Sequence, residues 1–313
     1  MTNLSEFTFL SSDGKTQLHG MLWEPEGVAV RAVLQICHGV AEHIARYDGF
    51  ARALNEQGLV VAGHAHLGPG KSLPEGGTPV YFGDGNTWNT VVDDIYVLHQ
   101  RLKQRYPDVP LCIMGHSMGS FLTRTYLIRY PGTVKAAVIM GTGWQPRAAI
   151  TGGLALANAI AAVSGENATS ELVTELAFGS YNKLFAPNRT KVDWLSADES
   201  NVDDYIADPL CGADATVGLF RQMLHGIRFN QRQSHLRQMD REMPVLFVAG
   251  DKDPGGSCGK GVRQTYDAFR AAGMRDCTLK LYPGLRHEIL NEKAYTADIT
   301  KNIEAWLLSR LEK

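Results

Sequence analysis

Six short, nearly continuous apolar runs recur along the 313-residue chain, at 32–37, 59–63, 109–114, 136–140, 245–249 and 277–282, punctuated by Gly and Pro. Runs of this length without polar alternation read as strands buried on both faces, as in a parallel sheet covered by helices. Between them lie stretches with helical spacing of apolar residues, at 50–57, 88–106, 118–130, 262–272 and 293–311. The alternation predicts an α/β fold with a doubly wound, mostly parallel sheet. Residues 7–23 alternate around Asp13-Gly14, which predicts an antiparallel hairpin at the sheet edge.

The strand signal stops at Trp144 and resumes at Pro244. This predicts a helical cap, 143–238, inserted into a core made of 1–142 and 239–313. Within the cap, residues 148–165 carry no charge and reach the lower length limit for crossing a bilayer. They are rich in Ala and contain Gly152, Gly153, Asn158 and Ser164, so they read as a weakly amphipathic helix rather than a span. Its apolar stretch 150–163, which includes Leu154 and Ile160, suggests an acyl-binding wall and transient contact with lipid surfaces. Ahead of the long helix at 88–106, Asn86 or Thr87 reads as its N-cap and Trp88 as a packing anchor.

With 31 basic and 33 acidic residues the net charge is −2, which argues against nucleic acid as a partner. The densest basic stretch, 221–241, is interrupted by Asp240 and several Gln and reads as a solvated helix face. The N-terminal residues lack the basic start and apolar core of a secretory signal, so a cytoplasmic location is expected. Cys37, Cys112, Cys211, Cys258 and Cys277 are odd in number and form no CxxC pair, so they read as reduced thiols. The sequons at Asn167 and Asn188 then read as chance matches. Neither a G-x-G-x-x-G after a strand nor a P-loop occurs, so no cofactor is expected.

Ligands in such sheets sit at the carboxyl ends of the strands. The third run, 109–114, is followed by Gly115-His116-Ser117-Met118-Gly119, a G-x-S-x-G turn between strand and helix. Such an elbow exposes a serine hydroxyl, and its glycines allow helix and strand to approach closely. A second match, Gly255-Gly256-Ser257-Cys258-Gly259, lies past the end of its strand and reads as a flexible loop. A serine needs a base to take its proton and a carboxylate to orient that base. In the order Ser, acid, His, His287 follows the run 277–282, while Asp251 and Asp253 both follow 245–249 and remain tied. The developing oxyanion needs donors, assigned to the backbone N–H of Met118 and to that of Val40 in His38-Gly39-Val40-Ala41-Glu42-His43.

These motifs, H-G-x-x-E-H-x-x-R-Y from His38 to Tyr47, G-H-S-M-G, G-x-x-D from Gly250 to Asp253, and R-H-E from Arg286 to Glu288, resemble the monoacylglycerol lipase and lysophospholipase-like branch of the α/β-hydrolases, also described as serine aminopeptidase-like. The likeness covers nearly the whole chain. It implies an α/β-hydrolase fold with nucleophile Ser117, base His287, acid Asp253 rather than Asp251, oxyanion donors Val40 and Met118, and a cap closing an acyl pocket. It implies a small-molecule acyl ester as substrate, a monoacylglycerol, lysophospholipid or related ester, with small esters or peptides as alternatives. Where the family shows D-H-x-G-H-G-x-S, this chain has Ala65-His66-Leu67-Gly68-Pro69-Gly70-Lys71-Ser72, and Ala41 stands where Gly is usual. The absent Asp and His support the oxyanion loop in the family, which predicts a slower enzyme here.

Two rival readings differ in class. His64 and His66, two apart at a strand end with His38 and His43 nearby, suggest a metal hydrolase, but no carboxylate lies at ligand spacing. The departures at Ala65 and Pro69 suggest a binding protein that has lost turnover. Cys258, five residues after Asp253, reads either as a reactive thiol near the site or as a small adaptable residue.

Overall fold

The computed structural model describes residues 1–311. Eight strands form one sheet: β1 (Thr2–Leu10), β2 (Gln17–Pro25), β3 (Ala32–Cys37), β4 (Leu59–His64), β5 (Leu111–His116), β6 (Ala136–Met140), β7 (Val245–Gly250) and β8 (Cys277–Tyr282). Their order is β1-β2-β4-β3-β5-β6-β7-β8. Strands β3 to β8 pair in parallel, whereas β1 and β2 form an antiparallel hairpin and β2 joins β4 antiparallel. The hairpin turn closes on Asp13, whose Oδ1 accepts from the N–H groups of Lys15 and Thr16 at 2.8 Å each. Strand β5 begins two residues later than the apolar run. Pro110 has no N–H to offer the ladder, and the register opens at Val33 opposite Leu111.

The helices in chain order are α1 (Asp48–Asn55), α2 (Thr87–Arg105), α3 (Met118–Arg129), α4 (Arg147–Ser164), α5 (Glu171–Thr174), α6 (Ser180–Lys183), α7 (Glu199–Ala207), α8 (Val217–Asn230), α9 (Gln233–Leu236), α10 (Lys260–Ala271) and α11 (Thr296–Leu311). One sheet face is covered by α2, α3 and α10, through Val91, Ile95, Leu122, Val262 and Phe269. The other is covered by α1 and α11, through Phe50, Leu54, Ile303 and Leu307. Each such side chain contributes about 1.5–3 kcal/mol on burial. This two-sided cover explains why β3 to β7 read as apolar runs; β8 departs from the expected burial on both faces, because it is the edge strand and is half-buried over most of its length.

Helices α4 to α9 all lie between β6 and β7, above the carboxyl edge of the sheet. Among the described residues that stretch contains one isolated bridge, Thr169 to Thr216, and no strand of the main sheet. Helix α4 is long and apolar enough to cross a membrane, but it packs on α8, with Ile150 and Leu154 against Ile227. Leu154 therefore faces inward, and the strongly exposed apolar residue of α4 is Val163. Of the two N-cap candidates, Asn86 takes the N-cap position of α2, though without a side-chain cap bond, while Thr87 is the first helical residue and its hydroxyl donates to the Gly83 carbonyl.

Trp88 joins α2 to α3 and α8. Its indole N–H donates to Thr125 Oγ1 of α3 at 3.0 Å, and its ring fills the space a Cβ at Gly226 of α8 would need. Trp88→Ala should destabilise the protein by about 3–5 kcal/mol, measured as a lower urea midpoint.

Candidate active site

Ser117 sits between the last residue of β5 and the first of α3, at φ 54° and ψ −122°. A side chain at Gly119 would collide with the Cys37 carbonyl of β3, and one at Gly115 with Gly119 and Thr123. The two glycines of the motif are thus where helix and sheet touch. The turn is held by Ser117 N–H on the Met140 carbonyl (3.1 Å) and by Ser120, whose N–H (2.9 Å) and hydroxyl (2.6 Å) donate to the Ser117 carbonyl. The Ser117 hydroxyl has no protein hydrogen-bond partner among the described residues and stands on the wall of a cavity.

His287 and Asp253 arrive from the loops after β8 and β7. His287 Nδ1 lies 2.9 Å from Asp253 Oδ1. An ionised carboxylate can only accept, so Nδ1 carries the proton and Nε2 is left free as an acceptor. The N–H of Gly255 also donates to Oδ1, at 2.8 Å. Asp251 is elsewhere: its Oδ1 accepts from the Gly284 N–H at 2.8 Å. The structure therefore brings Asp253, not Asp251, to His287. His287 and Ser117 wall the same cavity without a direct hydrogen bond, an arrangement common before substrate binds. In the second serine motif, Ser257 and Cys258 are exposed in a turn ahead of α10, with Ser257 N–H on the Pro254 carbonyl. Only Gly255 of that motif reaches the cavity.

Val40 and Met118 both border the cavity beside Ser117, and neither backbone N–H finds a protein acceptor among the described residues. The turn carrying Val40 has Ala41 at φ 52° and is held from three sides. Glu42 Oε1 accepts from the Gly39 N–H at 2.5 Å and from the Tyr47 hydroxyl at 3.1 Å. His38 Nε2 accepts from the His66 N–H at 3.2 Å. The Ala41 carbonyl accepts from the Tyr205 hydroxyl and the Gly212 N–H, both at 3.0 Å and both from the cap region. Ala65 and Pro69 thus sit in a loop whose missing side chains are not the turn's sole support.

Glu42 also pairs with His116 Nδ1 at 3.1 Å and Arg46 at 3.3 Å, while Arg46 makes two bonds to Glu288, one residue past His287. Burial alone would neutralise Glu42, but the His116 hydrogen bond and charge and the Arg46 charge hold it well below the usual carboxylate range. Burial likewise pulls His116 down, but Glu42 outweighs it and leaves His116 raised. His116 Nε2 then reaches the His287 carbonyl at 3.2 Å. This ionic network, invisible in sequence spacing, ties the oxyanion turn to the loop of the base. Its members Glu42, Arg46 and Glu288 fall within the quoted motifs, which was the available signal.

His38, His64 and His66 form a buried ring cluster, with centroids 4.2 Å apart for His38 and His66 and 5.3 Å for His64 and His66. His43 lies outside it, paired with Asp208. The cluster lacks a carboxylate, and among the described residues it is not one of the groups whose donor atoms converge as metal ligands do. Burial holds His38 down to about 4, His64 down to about 3 and His66 well below 6.5. The unfolded chain therefore binds more protons below pH 6.5, so this stability is complete above that pH and falls as pH drops. The loss should approach about 4 kcal/mol per pH unit for three such groups, seen as a falling urea midpoint between pH 7 and pH 5. Neither ring nitrogen of His64 has a partner, so His64→Leu should shrink that slope by about one third at little cost at pH 7.

The cavity has a volume of about 450 Å³. Ile150, Leu156, Phe178, Phe220 and Met223 supply much of its wall, and Trp194 leans against His287, with ring centroids 5.0 Å apart and the planes tilted by 47°. Among the described residues, no Asp, Glu, Lys or Arg lines it. A second cleft of about 450 Å³ opens outside, between the start of α2 and α8, and holds none of Ser117, Asp253 or His287.

Residues 28–294 match the profile of the family described as serine aminopeptidase, S33. The chain belongs to that family. It is a monoacylglycerol lipase-like α/β-hydrolase, 30% identical over 309 residues to a monoacylglycerol lipase of Mycolicibacterium smegmatis, covering 98% of each chain. It is 27% identical to the human monoglyceride lipase, over 96% of this chain and 89% of that one. A solved structure of a thermostable carboxyl esterase from Bacillus coagulans superposes with a TM-score of 0.91 at 25% identity, covering 99% and 100% of the two chains. In this monoacylglycerol lipase-like hydrolase the expected α/β-hydrolase fold and family are therefore observed.

Proposed function

We propose that the protein is a serine hydrolase of neutral acyl esters, with monoacylglycerols as the substrate class. The observation that carries this reading is the apolar cavity lined by the strained Ser117 and by His287, which Asp253 holds from behind. An acyl chain gains by leaving water for such a cavity. A free α-ammonium would find no carboxylate there, and a phosphate no cation, which favours monoacylglycerols over peptides and lysophospholipids.

In this mechanism His287 Nε2 takes the Ser117 proton as Oγ attacks the ester carbonyl. Asp253 holds the Nδ1–H and stabilises the imidazolium. The Val40 and Met118 N–H groups receive the oxyanion, and the glycerol oxygen leaves with the proton from Nε2. Water, deprotonated by His287, then releases the fatty acid from the Ser117 acyl-enzyme. We take 143–238 as the cap domain on 1–142 and 239–313, and the exposed Val163, Leu172 and Leu184 of the cap as points of transient contact with the lipid that supplies substrate. A cytoplasmic setting suits the five free cysteines.

Initial rates on p-nitrophenyl esters from acetate to palmitate, and on monoacylglycerols, test the reading. Rates should peak at medium or long chains and fall by at least about 10⁴-fold in Ser117→Ala. A peak at acetate would make the protein a small-ester carboxylesterase, and no turnover with an unreactive Ser117 would make it a binding protein.

A further inference from the structure

Where the cap region rests on the oxyanion turn, three metal-ligating side chains meet outside the catalytic cavity. His43 Nε2 lies 2.7 Å from Asp208 Oδ2, and Cys211 Sγ completes a group whose three donor atoms all fall within 4.8 Å of one another. We propose that His43, Asp208 and Cys211 bind one divalent cation of the zinc class.

The donor set argues for that class. One imidazole nitrogen, one carboxylate oxygen and one thiolate suit zinc, while the sulfur disfavours magnesium and calcium. In a tetrahedral site with bonds of about 2.0–2.3 Å, donor atoms stand roughly 3.3–3.7 Å apart. The His43–Asp208 pair, at 2.7 Å, needs to open slightly to admit the cation. Asp208 is already oriented, because the Leu210 N–H holds its Oδ1 at 2.9 Å and leaves Oδ2 for His43. Ligating carboxylates carry outer bonds of this kind. The Cys211 N–H on the Asp208 carbonyl, 3.0 Å, closes the turn that returns the thiol toward that carboxylate.

On binding, the thiol proton leaves to solvent and the sulfur, carboxylate and neutral imidazole surround the cation. All three residues are partly exposed, which leaves a route in and a fourth position for water. Arg46 is hydrogen-bonded to Glu42 and Glu288 rather than to the three donors; burial raises the Cys211 thiol, and the nearby Arg46 charge works against that rise. The cation would join the two segments already linked at the Ala41 carbonyl by Tyr205 and Gly212. The site is independent of the ester reading.

The test is a titration of the full chain, without a polyhistidine tag and in a Cys258→Ser background that removes the exposed thiol, with cobalt(II) alone. One equivalent should bind with a near-ultraviolet thiolate-to-cobalt band, and zinc should displace it. Cys211→Ser and His43→Ala should each weaken binding by more than the roughly 10–100-fold that loss of an outer-shell partner costs. Without any ligand variant, zinc should also slow alkylation of Cys211 by iodoacetamide, read by mass spectrometry. No band at millimolar cobalt, a band that survives Cys211→Ser, or a Cys211 alkylated equally fast with zinc present would overturn the proposal.

Discussion

The turn at Ser117 is the constraint around which the other parts are arranged. A non-glycine residue at φ 54° and ψ −122° stores about 1–3 kcal/mol of backbone strain and persists only where its surroundings over-determine it. Here β5 is held between β3 and β6, the Ser117 N–H is bonded to the end of β6, and α3 presses its Gly119 onto the end of β3. The sheet that fixes the strain also sets the positions of the partners. Because β7 and β8 run parallel to β5, the loops bearing Asp253 and His287 leave the same edge.

A second layer of support is electrostatic. Glu42, Arg46, His116 and Glu288 are buried together, and removing such charges from water is costly unless each is paired. Here each is paired, and the pairing spans three elements that carry site residues: the turn of Val40, the motif of Ser117 and the loop of His287. Arg124 does a related task beneath the cap. This fully buried side chain of α3 donates to the Thr142 hydroxyl and Gly143 carbonyl, where the chain leaves β6 for the cap. Burial holds its guanidinium down to about 9. The segment between β6 and β7 is thus tied at its start to the helix that begins at the serine, and its Trp194 lies beside the His287 ring.

Much of this was legible from residue order. The runs at 32–37 and 136–140 coincide with β3 and β6, because strands buried on both faces leave a clear apolar imprint, while the run at 277–282 coincides with the half-buried edge strand β8. Strand β5 was misplaced by two residues, since apolar Val109 and Pro110 match the pattern while Pro110 cannot join the ladder. Leu154 and Val163 share one apolar helix, and which faces inward depends on where α8 lies, 60 or more residues along the chain. Asn86 was legible as the N-cap of α2 from residue type, whereas its lack of a side-chain cap bond was not.

Composition, periodicity and short motifs determined the layered α/β architecture, the elbow serine and the candidate base, because these depend on neighbours within a few residues. Tertiary structure decided what depends on distant partners: that Asp253 rather than Asp251 meets His287, that His64 and His66 are neutral buried rings, and that His43 turns to Asp208 and Cys211. Each of those outcomes rests on a contact between residues that the sequence keeps far apart, and a side chain's charge and role follow from what the fold places within a few ångströms of it.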